Sequence, residues 1–228
     1  MTRSSVSNHL LMPDDAPPLI IDVHADIACP WCYIGHQRLE QALEARPEID
    51  VVLRWRPFQL QPGMPSEGRP WREFAQEKFG SWEKAQTMFE HVRDTGSDDG
   101  LVFNFDAMEV APNTADAHRL VLWAEGQSAG VEMSERLYAA YFAEGANVSD
   151  RDVLAGCAAD AGLDPDAARS MLQGEDWKQE VVRAQDLARQ RGVTGVPFHV
   201  FDEQYAVSGA QPVEAFTRTL DAATGREV

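Results

Sequence analysis

Two cysteines three residues apart, Cys29 and Cys32, stand where a strand-like run gives way to a helical stripe, and this placement limits the folds open to the chain. Leu19 to Asp26 is short, rich in β-branched and apolar residues, and follows two prolines, so it reads as a strand. Beyond Cys29-Pro30-Trp31-Cys32, the apolar residues Ile34, Leu39, Ala42 and Leu43 recur at helical spacing. Pro30 suits the first helical position, whose N–H has no partner inside the helix, and this puts Cys29 at the cap. Pro47 stops the helix, and Val51 to Arg56 reads as a second strand before Pro57. A β-α-β start favours a parallel pair joined by a crossover helix.

From about Pro65 to Arg191 the pattern is helical. Trp71 to Arg93 carries Phe74, Phe79, Trp82, Met88, Phe89 and Val92 among charges; a turn is expected at Gly96 to Gly100 and an extended connector at Leu101 to Ala111. Helices are expected over 114–129, 134–143, 150–161, 165–172 and 177–191, with start signals such as Asp164-Pro165. This stretch is too long for a crossover loop and too patterned for a linker. Strand character returns at Pro197 to Phe201, with Tyr205 to Ser208 as its hairpin partner, and Val213, Phe216 and Leu220 mark a last helix. The expected organisation is a flexible segment over 1–18, an α/β domain in two parts over 19–64 and 192–228, and a helical insertion subdomain over 65–191.

The net charge of −17, from 37 acidic against 20 basic residues in 228, repels phosphate backbones and anionic lipid. Nucleic acid and membrane are therefore not expected partners. No apolar run approaches the roughly 20 residues of a bilayer span, and Asp14, Asp15, Pro17 and Pro18 interrupt the short apolar patch near the start. A cytoplasmic protein is the expectation. Three cysteines do not make a disulfide framework, and in a reducing compartment a close pair points to redox chemistry or metal. Cys157, among alanines, reads as an inert buried thiol.

Helical geometry puts the α-carbons of Cys29 and Cys32 roughly 5 to 6 Å apart, within disulfide range. The two sulfurs are unequal. Cys29 faces the unpaired N–H groups and positive dipole end of the helix, which stabilise a thiolate, whereas Cys32 lies a turn inside. Cys29 is thus expected as the exposed nucleophile and Cys32 as the resolving thiol. A zinc site would need a fourth ligand beyond Cys29, Cys32 and His36, and no second ligand pair accompanies them, so no metal is expected. Pro197, after Gly195-Val196, either enters its strand as a trans residue or forms a cis bond beside the dithiol. The upstream pair favours the second, leaving Val196 free to pair with an extended substrate.

These motifs carry a resemblance. Asp26-Ile27-Ala28-Cys29-Pro30-Trp31-Cys32-Tyr33-Ile34-Gly35, Arg56-Pro57-Phe58-Gln59-Leu60, Asn113 to Arg119 and Gly192 to Phe198 together resemble the DsbA-like branch of the thioredoxin superfamily, with the FrnE-type subgroup nearest in pattern. The resemblance implies an α/β, thioredoxin-like fold with a large all-helical insertion, and a disulfide oxidoreductase. It implies Cys29 as nucleophile, Cys32 as resolving thiol and Pro197 as a substrate-contacting cis proline, with Pro30, Trp31 and Val196 beside the substrate. It also raises Asn113 and His118, which bracket a helix start, as cleft-lining residues. Substrates would be disulfide-containing proteins or small-molecule thiols. No tightly bound cofactor is implied, although glutathione is a candidate co-substrate; monomer and homodimer both stay open. Two departures stand out. The buried acid that many thioredoxin-like proteins place six positions before the nucleophile is here Val23, and no second C-terminal cysteine pair is seen, which weighs against an isomerase.

Among the remaining residues, Trp31 is read equally as a substrate platform and as a partly buried helix-start residue, His36 as a surface histidine, and Asn113 as a helix cap with Thr114 beside it. Trp71, Phe74, Phe79, Trp82 and Phe89 are read chiefly as helical core, a fraction of them forming an apolar patch near the dithiol. Two other functions compete. The glutathione transferase kappa and 2-hydroxychromene-2-carboxylate isomerase families share the insertion but typically carry serine where Cys29 stands, and a non-enzymatic chaperone-like module could use the helices alone.

Overall fold

The computed structural model describes residues 17–226; the expected flexible segment lies almost wholly outside them. Strand β1 (Leu19–Ala25), helix α1 (Pro30–Glu44) and strand β2 (Val51–Pro57) form the opening unit, with β1 and β2 parallel in the register Leu19 to Val51 through Ala25 to Pro57. Strand β1 is buried along nearly its whole length, which is why its apolar residues are continuous rather than alternating. Pro30 occupies the first turn of α1 and Cys29 its N-cap.

The helical stretch begins with a two-residue strand, β3 (Arg69–Pro70), and helices α2 (Trp71–Phe79) and α3 (Trp82–Asp98). The break between these helices comes from Gly80, which takes a left-handed φ of 87°, and from Ser81, whose hydroxyl accepts from the Lys84 N–H as an N-cap. Helix α3 continues through Gly96, where a turn was expected. Gly96 is needed for close approach: a Cβ there would fall 2.4 Å from the Phe103 ring. The extended connector contains a short 3-10 turn (Phe105–Ala107) and strand β4 (Val110–Ala111), antiparallel to β3.

Helices α4 (Ala115–Glu125), α5 (Gly130–Tyr138), α6 (Arg151–Asp160), α7 (Pro165–Gln173) and α8 (Lys178–Gln190) follow. The helix expected over 134–143 starts earlier and ends in a π-turn (Ala139–Ala143), a local widening common near functional sites. Strands β5 (Phe198–Phe201) and β6 (Tyr205–Ser208) then complete a four-stranded sheet of order β2-β1-β5-β6, and α9 (Val213–Ala223) packs against α1. One continuous apolar cluster joins sheet residues such as Ile21 and Phe201 to helical residues such as Leu120, Leu137 and Phe142. The helices thus share the core of the sheet. Arg119, fully buried, binds the α7–α8 connection through the carbonyls of Met171, Leu172, Gly174 and Asp176, which satisfies its guanidinium inside that core.

Two histidines of the central strands are buried where a charge is costly. Burial lowers His199 of β5 to about 3 and His24 of β1 to about 4. The unfolded chain binds protons near pH 6.5 and the folded one does not, so stability is fully present above that value and is lost as pH falls toward 3 to 4. For His199 the loss is on the order of a few kcal/mol. Thermal unfolding should therefore show a steep decline in midpoint below pH 6.5, and His199→Leu should flatten that decline relative to the parent chain.

Candidate active site

Cys29 and Cys32 are both free thiols at the start of α1. The Cys29 side chain points across the chain to the Val196 carbonyl, 3.9 Å away, and the Val196–Pro197 bond is cis. Pro197 approaches α1 closely enough that a Cβ on Gly35 would sit 3.0 Å from its ring, so the glycine two turns into the helix keeps this contact open. The dithiol and the proline turn lie side by side. The expected exposure of Cys29 is absent: it is 5% accessible and Cys32 is 1%. Cys29 borders a cleft of about 300 Å³ whose lining also includes Trp31 and aromatic residues of the helices.

That cleft is lined by Pro30, Trp31 and Val196 from the α/β part and by Trp71, Phe74, Phe79, Met88 and Phe89 from α2 and α3. Trp31 is half-buried and packs on His91 at 5.4 Å between ring centroids. In keeping with the core reading, Phe89 belongs to the apolar core and Trp71, Phe79 and Trp82 pack against it; Trp71, Phe74, Phe79 and Phe89 also border the cleft, while Trp82 stays outside it under Arg72. The π-turn brings Tyr141 and Phe142 to the same wall, a contribution that a helical stripe does not reveal. A wider concavity beside β2, lined by Trp55, Arg56 and Glu125, holds no thiol.

Asn113 and His118 do not line the cleft. Asn113 spends its side chain on local structure, its Oδ1 accepting from the Ala115 N–H and its Nδ2 donating to the Met64 carbonyl. Its neighbours Pro112 and Thr114 face the cleft instead. His118 is fully buried one layer deeper, because it lies on the face of α4 that packs on the sheet. There its Nε2 lies 3.3 Å from Asp26 Oδ1, and its Nδ1 accepts from the Trp55 indole N–H at 3.0 Å. Asp26, 2% accessible, also accepts from the Leu60 N–H at 2.7 Å. Burial works to raise its carboxyl, but His118, the Leu60 N–H and Thr114 outweigh burial and hold it below the usual carboxylate range. His36 is likewise buried rather than exposed, covered by α5 and bonded to Glu135 at 3.2 Å. The sequence signal for Asp26 was a charged residue at the end of an apolar strand; nothing local marked Trp55.

The electrostatics separate the two thiols. Burial foremost, then the neighbouring Cys29 and Asp26, push Cys32 well above the ordinary thiol range, so Cys32 keeps its proton. Burial also pushes Cys157 up to about 11. Among the described residues no three His, Cys, Asp or Glu side chains converge as metal ligands.

The model of the DSBA-like thioredoxin domain family matches residues 20–221. The chain belongs to that family. Its fold is the thioredoxin-like one, and the family is one of thiol–disulfide oxidoreductases. The chain is 34% identical to the "probable DsbA oxidoreductase SCO1869" of Streptomyces coelicolor, with a TM-score of 0.83 and 92% of each chain covered. It is 26% identical to the uncharacterized protein YwbO of Bacillus subtilis, over 88% of this chain and 94% of that one. Over 90 residues, 40% of this chain and 46% of the other, it is 32% identical to 2-hydroxychromene-2-carboxylate isomerase of Sphingobium xenophagum.

The unequal thiols give a direct test. Brief treatment of the reduced, folded protein with iodoacetamide at pH 7 should label Cys29 at least tenfold faster than Cys32 or Cys157, read by peptide mass spectrometry. A thiol with a pKa of about 11 is only about 10⁻⁴ thiolate at that pH.

Proposed function

We propose that this DsbA-family chain exchanges disulfides with protein or small-molecule substrates through its Cys29–Cys32 dithiol, Cys29 acting as nucleophile. The observation that carries this reading is the position of Cys29: at the cap of α1, 3.9 Å from the Val196 carbonyl, and in the lining of the aromatic cleft. In the reducing direction, the Cys29 thiolate attacks a substrate disulfide, one substrate sulfur leaves as a thiol, and a mixed disulfide forms. Cys32 then attacks Cys29 Sγ, the Cys29–substrate bond breaks, and the second substrate thiol departs. The oxidising direction is the reverse.

Each remaining part of the site has a role. Val196 offers backbone groups to an extended substrate segment in the manner of strand addition, with Pro197 fixing the turn that presents it. Pro30 and Trp31 form the near wall, and the α2–α3 aromatics accept an apolar group flanking the substrate sulfur. Glutathione is a suitable reductant of the Cys29–Cys32 disulfide, and a reducing cytoplasm the compartment in which it would act. The FrnE-type subgroup fits the cysteine motif and the helical stretch.

The stretch of likeness to the chromene carboxylate isomerase supports a second reading, a glutathione-dependent isomerase that would use the cleft without redox turnover. The two differ in their need for Cys32. Precipitation of insulin by dithiothreitol should be accelerated by the protein, lost on Cys29→Ser, and reduced at least about tenfold on Cys32→Ser, which should accumulate mixed disulfides on Cys29 visible by non-reducing electrophoresis. Undiminished activity of Cys29→Ser would sink the redox reading. Isomerisation of a chromene carboxylate surviving Cys32→Ser would favour the second.

A further inference from the structure

The cleft beside Cys29 is apolar along most of its lining, and among the described residues only two ionisable acid or base side chains apart from the thiol and the Tyr141 phenol border it, Asp26 and Lys78. Asp26 belongs to the dithiol side: its backbone carbonyl accepts from the Cys29 N–H at 3.1 Å, and its carboxylate is buried and bonded to the Leu60 N–H. Lys78 belongs to the helical side, in the last turn of α2, and is exposed. We propose that the cleft is built for a small disulfide or thiol whose sulfur is carried on an aromatic or other apolar body ending in a carboxylate, and that Lys78 selects the carboxylate. This rests on the oxidoreductase reading above and gives it a substrate class.

The cation is held in place by aromatic rings. Lys78 Nζ lies 5.5 Å from the centroid of the Phe74 ring and 5.7 Å from that of Phe79, and both rings line the cleft, so the attraction of an ammonium for aromatic faces keeps it there. It is also free to bind an anion. Of the chain's three lysines, Lys178 pairs with Glu175 at 2.7 Å, whereas among the described residues Lys78 has no acidic partner; the neighbouring Glu77 is taken by Arg69 at 2.6 Å. A lysine in a last helical turn also offsets the helix dipole, but that role needs no aromatic cradle. Phe74 stands apart from the apolar core against which Trp71 and Phe79 pack, which leaves its ring available to a ligand. The volume of about 300 Å³ is at the lower limit of small-molecule sites, room for one ring and its substituents beside the sulfur. The charge of Asp26 repels an anionic group from the dithiol side, so a carboxylate on the ligand points toward Lys78.

With a symmetrical disulfide of this class, the Cys29 thiolate attacks one sulfur, the ligand S–S bond breaks and one thiolate leaves. Cys32 then loses its proton to solvent and attacks Cys29 Sγ, and the second thiolate leaves. The protein's dithiol is oxidised to the Cys29–Cys32 disulfide, and the ligand is reduced to two thiols. The carboxylates take no part in these bond changes, so Lys78 acts on binding alone.

The net charge of −17 gives the opposite expectation in the absence of Lys78, because the general field favours a cationic disulfide over an anionic one. Reduced protein is mixed under single-turnover conditions with anionic dithiobis(nitrobenzoate), neutral dithiodipyridine and cationic cystamine, each rate being divided by that of the same reagent with mercaptoethanol. The divided rates should fall in that order, the anionic reagent leading the neutral one by at least about fivefold, and added salt should narrow the lead. Lys78→Gln should lower the anionic-to-neutral ratio about fivefold, Lys78→Arg should retain most of it, and Lys78→Glu should invert it. Phe74→Ala should slow both aromatic reagents alike and keep the ratio. A ratio at or below one in the parent chain, or one that Lys78→Gln does not change, would overturn the assignment. So would a faster divided rate for an uncharged cysteine-peptide disulfide flanked by phenylalanine, which would make the cleft a polypeptide groove. If no reagent reacts at Cys29, judged against Cys29→Ser, or if only one thiol is released because Cys32 does not resolve the mixed disulfide, the oxidoreductase reading itself fails.

Discussion

A carboxylate kept ionised almost out of reach of water is the constraint around which this site is arranged. An isolated buried charge is costly enough that a protein ordinarily neutralises it, so Asp26 stays charged only because donors surround it. Those partners come from different parts of the chain: the Leu60 N–H, which donates to it, from the loop after β2, and the His118 ring, whose Nε2 lies 3.3 Å away, from the first turns of α4. Each donor is held in turn. Trp55 orients the His118 ring, and Gln185 of α8 clamps the Gln59 backbone on both its N–H and its carbonyl, fixing the loop that presents Leu60. Removing any one partner leaves charge or dipole uncompensated in the interior, where the cost is greatest.

This arrangement explains why the helical stretch shares one core with the sheet. If α4 and α8 were free to rock against β2, the distances to Asp26 would vary and its charge would be intermittently unpaired. The continuous apolar cluster, the aromatic stacking of Tyr33 on Tyr138 at 5.0 Å, and the buried Arg119 binding four carbonyls of the α7–α8 region hold the two parts in register. Burial also separates the thiols: Cys32, with Asp26 beside it, retains its proton, and Cys29 is left as the sulfur that meets the cleft.

The cleft brings Cys29 and Val196 together with the aromatics of α2 and α3, so on the proposed reading a group flanking a substrate sulfur would meet an apolar slot. The π-turn matters here because widening the helix by one residue turns Tyr141 and Phe142 toward this wall, where a regular helix would present a different pair.

Local chemistry in the sequence determined a good deal: the strand–cysteine–helix start, the unequal placement of Cys29 and Cys32 at a helix cap, and the hairpin and last helix. These follow from short-range rules, since proline placement, helical periodicity and cap geometry act within a few residues. Tertiary structure alone decided the rest. It buried Cys29 where exposure was expected, covered His36, withdrew Asn113 and His118 from the cleft, and brought Asp26, Trp55 and His118 into one network across 92 residues of chain. An isolated histidine or aspartate carries no local mark of its partner, because the low dielectric that makes their interaction strong exists only once the surrounding helices and sheet have closed over them.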